Sequence, residues 1–385
     1  MTGLPARSEV TVVGGGVIGL SVAYELARRG RQVLVLDRGD LPGVATRAAA
    51  GMLAPTSEAD LTERALVELE LDSLRRYPEY VARLEGLTGQ SCGYRTDGTL
   101  WVALNRDQDG DLGRLLAMQR AKGLAARRLS AEEVLAREPH LSGRIVAGLL
   151  VEGDHQIDPR ALAEALRVAL ARLGGAVVTG CHVTRIEHAG GAVVAVSGTV
   201  GDRPLRVRCE AAVLAGGVWS EDVDAPLPPL GLRPVKGQLV RLAGGELVRH
   251  VVRSPDVYLV PRRGGELLVG ATMEEQGLDA RPMAGAVLGL LREAWRLLPG
   301  IYDLAVSELS VGFRPAVRDH LPVIGAAATR GLYVAAGHFR NGVLLAPATA
   351  HYLAEWIVGG SPPAALAPFG VERLEARAAT AEIRT

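Results

Sequence analysis

The sequence predicts an α/β fold in which a parallel-sheet domain of strand–helix–strand units is interleaved with a smaller domain of antiparallel sheet and helix. Three observations lead there. A β-branched run, Val10-Thr-Val-Val, is followed at once by Gly14, Gly16 and Gly19, then by a helical stretch and a second apolar strand. Two later stretches, Ala211-Ala-Val-Leu-Ala-Gly-Gly-Val-Trp-Ser and Gly331-Leu-Tyr-Val-Ala-Ala-Gly-His-Phe-Arg-Asn-Gly, again end an apolar strand in glycine. Between and around them, short apolar or alternating segments separated by Gly-Gly pairs read as antiparallel strands.

The first unit is the most informative. Residues 17–29 place Ile18, Val22, Ala23, Leu26 and Ala27 on one helical face, with Gly30 as the stop. Residues 32–36 form a second strand that closes on Asp37. A G-x-G-x-x-G turn with an acid about 20 residues further on is the dinucleotide-binding fingerprint. Gly14 permits the sharp turn, Gly16 lets backbone approach a pyrophosphate, and Gly19 lets the helix lie close to the strand. The helix N-terminus aims N–H groups and partial positive charge at phosphates. Asp37 can accept hydrogen bonds from ribose hydroxyls, which argues against a 2′-phosphate. A bare glycine turn would account for the glycines but not for the strands, helix and acid around them. FAD and NAD are not separated by this unit.

Further along, the small residues of 43–55 read as a plain loop or, in preference, as backbone packed on a ligand, and residues 61–84 as an amphipathic helix. A strand at 98–104 is followed by an Arg-rich helical pair (112–122 and 131–137) and a strand at 148–151. Asp158-Pro159 caps a helix over 160–172, with proline in its first turn. Strands are expected at 176–178, 183–187, 239–241, 257–261, 266–269 and 309–313, and helices at 285–298 and 343–358. Residues beyond Pro363 read as a tail with a short helix. This order assigns 1–87, 152–229 and 317–385 to the dinucleotide domain, and 88–151 and 230–316 to a substrate domain.

Composition excludes several classes. The 385 residues carry 43 Lys plus Arg and 43 Asp plus Glu, so the electrostatic footprint of a nucleic-acid binder is missing. Cys92, Cys181 and Cys209 are scattered and odd in number, which fits a reducing cytosol rather than a disulfide framework. No apolar run precedes the first strand as a signal peptide would, and none is long enough to span a bilayer. The histidines show no metal-site spacing, and no serine sits in a G-x-S-x-G elbow.

Several stretches in this order resemble the FAD-dependent D-amino-acid oxidase and sarcosine oxidase superfamily, and within it the glycine oxidases of thiamine biosynthesis. They are residues 13–19 with Asp37, Ala48-Ala-Ala-Gly-Met-Leu, Gly217-Val-Trp-Ser, Pro234-Val-Lys-Gly, Tyr258-Leu-Val-Pro-Arg, Val269-Gly-Ala-Thr-Met, Gly312-Phe-Arg-Pro and Gly337-His-Phe-Arg-Asn-Gly-Val-Leu-Leu-Ala-Pro. The resemblance implies a Rossmann-like FAD domain and decides for FAD. It assigns cofactor contacts to Val17, Ile18, Asp37, Arg38, Ala45, Thr46, Ala50, Gly51, Met52 and Val183, and to His338, Phe339, Arg340, Asn341, Gly342, Val343 and Leu344. Gly217 and Trp219, at the glycine end of their strand, suit the same role. The FAD is expected to be non-covalent, since no cysteine lies in the C-terminal stretches where relatives attach theirs.

By the same resemblance Arg314, which ends a strand and precedes Pro315, binds a substrate carboxylate, which a guanidinium grips bidentately, or else it forms an interdomain salt bridge. Tyr258 hydrogen-bonds the same group, or else is a core tyrosine of a sheet. Arg340 is a second active-site arginine, although its backbone could equally serve the flavin. Met52 and Met273 line the pocket or fill core gaps, and Lys236 is notable because only it and Lys122 break the arginine bias. Two departures stand out: Asp256 where the family pattern has histidine, and Ala54 where it has glycine. The implied reaction is oxidative deamination of glycine or a similarly small amine or D-amino acid. Hydride passes to FAD, the imine hydrolyses to glyoxylate and ammonia, and dioxygen is reduced to hydrogen peroxide. Sarcosine oxidase and D-amino-acid dehydrogenase activities are the alternatives within the superfamily, and a flavin-binding protein without turnover is the alternative outside it. The family also implies a homotetramer.

Overall fold

The structure is a computed structural model and describes residues 5–39, 43–55, 63–121 and 123–374. Parts of four expectations lie outside these residues: the extreme N-terminus, the first residues of the helix expected from 61, Lys122, and the end of the C-terminal tail.

A six-stranded sheet organises one side of the molecule, in the order Val323–Ala326, Leu332–Ala336, Ala211–Leu214, Val10–Val13, Val33–Leu36, Ala176–Val178. All neighbours are parallel except the first pair. The central strands are buried on both faces, as their unbroken Val/Leu/Ala composition requires. One face is covered by the first helix, Val17–Arg28, and the long C-terminal helix, Gly342–Gly359. They share a core in which Val22, Leu26, Leu345, Leu353 and Phe369 are buried. Each such apolar side chain contributes roughly 1.5–3 kcal/mol on burial. Since the strands that precede these two helices run the same way, the glycine corners at 14–16 and 337–342 come to the same edge of the sheet. Ligands of open α/β sheets bind at that edge.

The second large sheet has eight strands, in the order Ala305–Ala316, Arg233–Ala243, Glu266–Gly270, Tyr258–Pro261, Val251–Arg253, Thr99–Ala103, Ala147–Val151, Arg127–Ser130. It is antiparallel except where Val251–Arg253 runs parallel to Thr99–Ala103. Two of its strands are much longer than the sequence indicates. Pro234, Gly237 and Pro315, which fall outside the strands expected at 239–241 and 309–313, lie inside the ladder between 233–243 and 305–316. Arg314 accordingly sits within a strand rather than at its end. A third sheet, Cys181–Ala189, Ala192–Val200 and Arg203–Arg208, was only partly anticipated.

Helices follow their expected patterns with shifted ends. Arg64–Thr88 continues past residue 84 and through Pro78, and stops at Gly89. The first of the Arg-rich pair begins at Arg106. Asp158 caps Pro159–Arg172 by accepting from Arg160 N at 2.9 Å and Ala161 N at 3.3 Å. The small-residue stretch after Asp37 contains the short helix Val44–Ala48 and the strand Met52–Leu53. Arg160 joins the two sides of the molecule through hydrogen bonds of 2.8 and 2.6 Å to Glu308. Among the described residues no helix is long and apolar enough to cross a membrane.

Candidate active site

Between the glycine corners and the eight-stranded sheet lies a cavity of about 530 Å³. Its size is that of a small-molecule or cofactor site. Of the residues singled out in the sequence, Gly14, Gly16, Val17, Ile18, Asp37, Arg38, Ala45, Thr46, Ala50, Gly51, Met52, Val183, Gly217 and Trp219 line it. So do Tyr258, Met273, Arg314, His338, Phe339, Arg340, Gly342 and Val343. Gly19, Asn341 and Leu344 do not: they lie behind the wall.

Each of these three has a structural reason. A Cβ at Gly19 would stand 1.9 Å from the Gly14 carbonyl oxygen, so Gly19 sets how closely helix and turn pack. Asn341 is the N-cap residue of the C-terminal helix, and the Leu344 side chain points into the core. At the turn itself Gly14 has φ +112°, and a Cβ there would meet the Ala215 carbonyl oxygen at 2.3 Å. A Cβ at Gly16 would meet only the Thr46 hydroxyl, at 3.5 Å, so this backbone is open toward the cavity.

The carboxylate of Asp37 has a second task that the fingerprint does not announce. It accepts from Gly15 N at 2.6 Å and from Gly39 N at 2.9 Å, and so ties the glycine turn to the second strand. Thr46 Oγ1 accepts from Val17 N at 3.0 Å, capping the first helix from another element. The Arg38 guanidinium lies 3.7 Å from the centre of the Trp219 ring, forming a flat platform beside the cavity. Below the turn at 50–52, Arg262 donates to the Ala50 carbonyl and, at 3.1 Å, to Gln156 Oε1. Burial pushes its pKa down to about 10, so the strut keeps its charge at neutral pH.

On the opposite wall Arg314 is oriented by carbonyls: its Nη1 donates to Thr272 O at 3.0 Å and Lys236 O at 3.5 Å. Among the described residues no carboxylate pairs with it. A guanidinium held by neutral acceptors at the wall of a cavity is poised to accept a carboxylate ligand. Its seat is made by Gly237, where a Cβ would lie 2.6–2.8 Å from the guanidinium atoms. Tyr258 has a matching seat in Gly270, whose Cβ would lie 2.5 Å from the ring and hydroxyl. These two glycines are functional positions that the sequence reading passed over, although both stand in stretches it quoted. Arg253 was also missed. It reaches the same cavity, stacked 4.6 Å from the Trp101 ring centre and 5.8 Å from that of Tyr258.

Gly237→Ala is expected to displace the Arg314 side chain rather than unfold the sheet, because the clash is with the far end of a flexible group. Misplacing a positioning group by about 1 Å costs on the order of 10²-fold. Affinity for a small carboxylate ligand should therefore fall by about 10²-fold with the melting temperature little changed, which ligand titration and thermal melts of the variant would measure.

The methionines differ. Met52 packs between the cavity and the buried face of the sheet, whereas Met273 is 64% exposed at the mouth and is no core filler. The Arg340 side chain is exposed at the mouth too, 5.4 Å from the Phe339 ring centre. Asp256 is likewise exposed at the rim, and Ala54 is buried outside the cavity lining. Lys236 is fully buried, with Nζ donating to Arg281 O at 2.9 Å and Gln276 Oε1 at 3.3 Å. It fastens the segment that carries Thr272 and Met273.

His338 is buried beside the second glycine corner, with Nε2 3.1 Å from Thr349 Oγ1. Burial pushes its pKa down to about 3 from 6.5, so the imidazole is neutral when folded. Its folded pKa lies below the unfolded one, so its contribution to stability is complete above pH 6.5 and is lost as pH falls toward 3. Between pH 6.5 and 5, above the ordinary carboxylate range, stability should fall by roughly 1 kcal/mol per pH unit. Thermal melts of His338→Gln should show that limb flattened.

Comparison with known proteins is consistent along nearly the whole chain. The profile of the family described as FAD dependent oxidoreductase matches residues 9–356. A bifunctional protein ThiO/ThiG of Trichormus variabilis is 35% identical over 383 residues, covering 98% of this chain and 57% of its own. The chain thus spans little more than half the length of that relative. A glycine oxidase of Geobacillus kaustophilus is 34% identical over 374 residues, covering 95% of this chain and 97% of that one. The crystal structure of glycine oxidase from Geobacillus kaustophilus superposes with a TM-score of 0.88, covering 95% of this chain and 98% of that chain.

Proposed function

The chain belongs to the FAD dependent oxidoreductase family, and from that premise we propose that it oxidatively deaminates glycine or a similarly small amine or D-amino acid. In the balanced reaction glycine, water and dioxygen give glyoxylate, ammonia and hydrogen peroxide. FAD bound in the cavity would supply the two-electron redox chemistry that links the amino acid to dioxygen. The single observation that carries this reading is Arg314, held by backbone carbonyls at the wall of a cavity whose other end is a dinucleotide cradle.

The protein's own groups divide the work. The glycine turn and the first helix N-terminus would hold the pyrophosphate of FAD, and Asp37 would hold its ribose. The N-terminus of the C-terminal helix, which lines the cavity at Gly342 and Val343, would offer positive potential to the negative charge of a reduced flavin bound there. Arg314 and Tyr258 fix the substrate carboxylate, and with it the direction in which Cα points. Neutral His338 adds no competing positive charge. No side chain is assigned as general base, because an amine that arrives unprotonated needs none. In this reading residues 1–87, 152–229 and 317–385 hold the cofactor, and 88–151 and 230–316 hold the substrate. The resemblance to ThiO/ThiG proteins supports a place in thiamine biosynthesis; a cytoplasmic homotetramer is the further part of this proposal, resting on the family resemblance of the sequence alone.

Oxygen consumption with glycine, sarcosine and D-alanine, each with assay of peroxide and of the carbonyl product, tests the reading. Turnover of glycine with stoichiometric peroxide is expected. Peroxide-free turnover that needs a quinone would instead assign a dehydrogenase, and exclusive turnover of sarcosine would assign the sarcosine oxidase alternative.

A further inference from the structure

The helix that starts at Gly342 has a break in its own hydrogen-bond ladder, and another element repairs it. Pro347 has no N–H, so the rung it would supply to the Val343 carbonyl is missing. The Tyr77 hydroxyl donates to that carbonyl instead. At the next rung, Ser73 Oγ accepts from Ala348 N at 3.2 Å and donates to Leu344 O at 2.6 Å. A hydroxyl is thus spliced into the ladder, one of the ways in which helices are bent. Ser73 and Tyr77 stand one helical turn apart on Arg64–Thr88, and both are fully buried. Tyr77 is backed by the Tyr94 ring, stacked at 6.0 Å, whose hydroxyl lies 2.6 Å from His155 Nδ1.

The repaired carbonyls belong to the turn that borders the cavity, where Gly342 and Val343 form part of the wall. The direction of a helix's positive end is set by the alignment of its terminal peptide groups. A buried carbonyl without a donor would turn toward the nearest one it could find, and the alignment would change. We infer that Ser73 and Tyr77 are positioning residues for the flavin: from a separate helix, they hold the first turn of the Gly342 helix in the orientation that favours reduced flavin. The inference rests on the reading that this helix end faces the flavin.

The test is the two-electron midpoint potential of the bound flavin, with the FAD dissociation constant, in Tyr77→Phe and Ser73→Ala holoenzymes. A weaker positive end stabilises the reduced, more negative flavin less, so the potential should move negative. A three- to tenfold loss of preference for reduced over oxidised flavin corresponds to about 15–30 mV. Adding Pro347→Ala to Tyr77→Phe restores an N–H to Val343 O and should return the potential toward the original value; a purely structural role for Tyr77 does not require that recovery. Asn341→Asp, which puts a carboxylate at the N-cap, separates the two readings. A shift with Asn341→Asp but none with Tyr77→Phe or Ser73→Ala overturns the bracing and leaves the helix reading standing. No shift in any of the three overturns both. Should Tyr77→Phe fail to fold, Ser73→Ala alone decides by the same criterion.

Discussion

An Arg314→Ala protein is expected to purify yellow, with flavin content unchanged, and to show almost no amino-acid-driven reduction of that flavin. The side chain touches no part of the glycine turn; its hydrogen-bond partners are the carbonyls of Thr272 and Lys236 on the opposite wall. Cofactor and substrate binding are therefore separable at this residue. Removing one partner of a buried carboxylate–guanidinium pair costs roughly 3–5 kcal/mol, or about 10²–10⁴-fold in kcat/KM. Arg314→Lys should recover only part of this, because an ammonium cannot reproduce the planar two-point grip. Steady-state kinetics with glycine at saturating oxygen, alongside the visible spectrum, measure both halves. Normal turnover by the alanine variant would remove the carboxylate assignment.

The second large effect is expected at Gly14. Its φ of +112° disfavours any side chain, and a Cβ would lie 2.3 Å from a backbone oxygen that cannot move aside without pulling the Ala211–Leu214 strand with it. Gly14→Ala should cost about 3 kcal/mol or more, through the strain of a non-glycine residue at that φ and the overpacking together. The protein should purify largely without flavin and melt lower. Flavin-to-protein ratio and thermal melts check this. Gly16→Ala is the contrast: its Cβ meets no protein backbone, so the apoprotein should melt normally while FAD affinity falls.

How much of this was legible beforehand depended on whether the signal was local. The strand–turn–helix unit at 10–37 could be read because its glycines, helix face and acid lie within one short stretch, and the Asp158-Pro159 cap for the same reason. The long pair 233–243 and 305–316 could not, because Pro234, Gly237 and Pro315 carry the ordinary marks of turns. Gly237 lies mid-strand because the Arg314 guanidinium occupies the space of its side chain, which only the folded pairing reveals. Arg262 reads as one more surface arginine, yet it is the buried strut beneath Ala50. Pro347 marks a missing rung in the sequence, but the hydroxyl that fills it comes from 266 residues away. Asp37 shows the converse: a residue assigned to the ligand also holds the turn that would bind it.

The central claim is that one cavity holds a flavin at its glycine edge and a small amino acid, gripped by its carboxylate, at the Arg314 wall. Anaerobic titration of the purified holoprotein with glycine, followed by air, tests it most directly. The account predicts that the yellow absorbance bleaches with saturable dependence on glycine and returns on oxygenation, with one peroxide formed per glycine oxidised. A flavin that stays fully oxidised with glycine, sarcosine and D-alanine alike would contradict it.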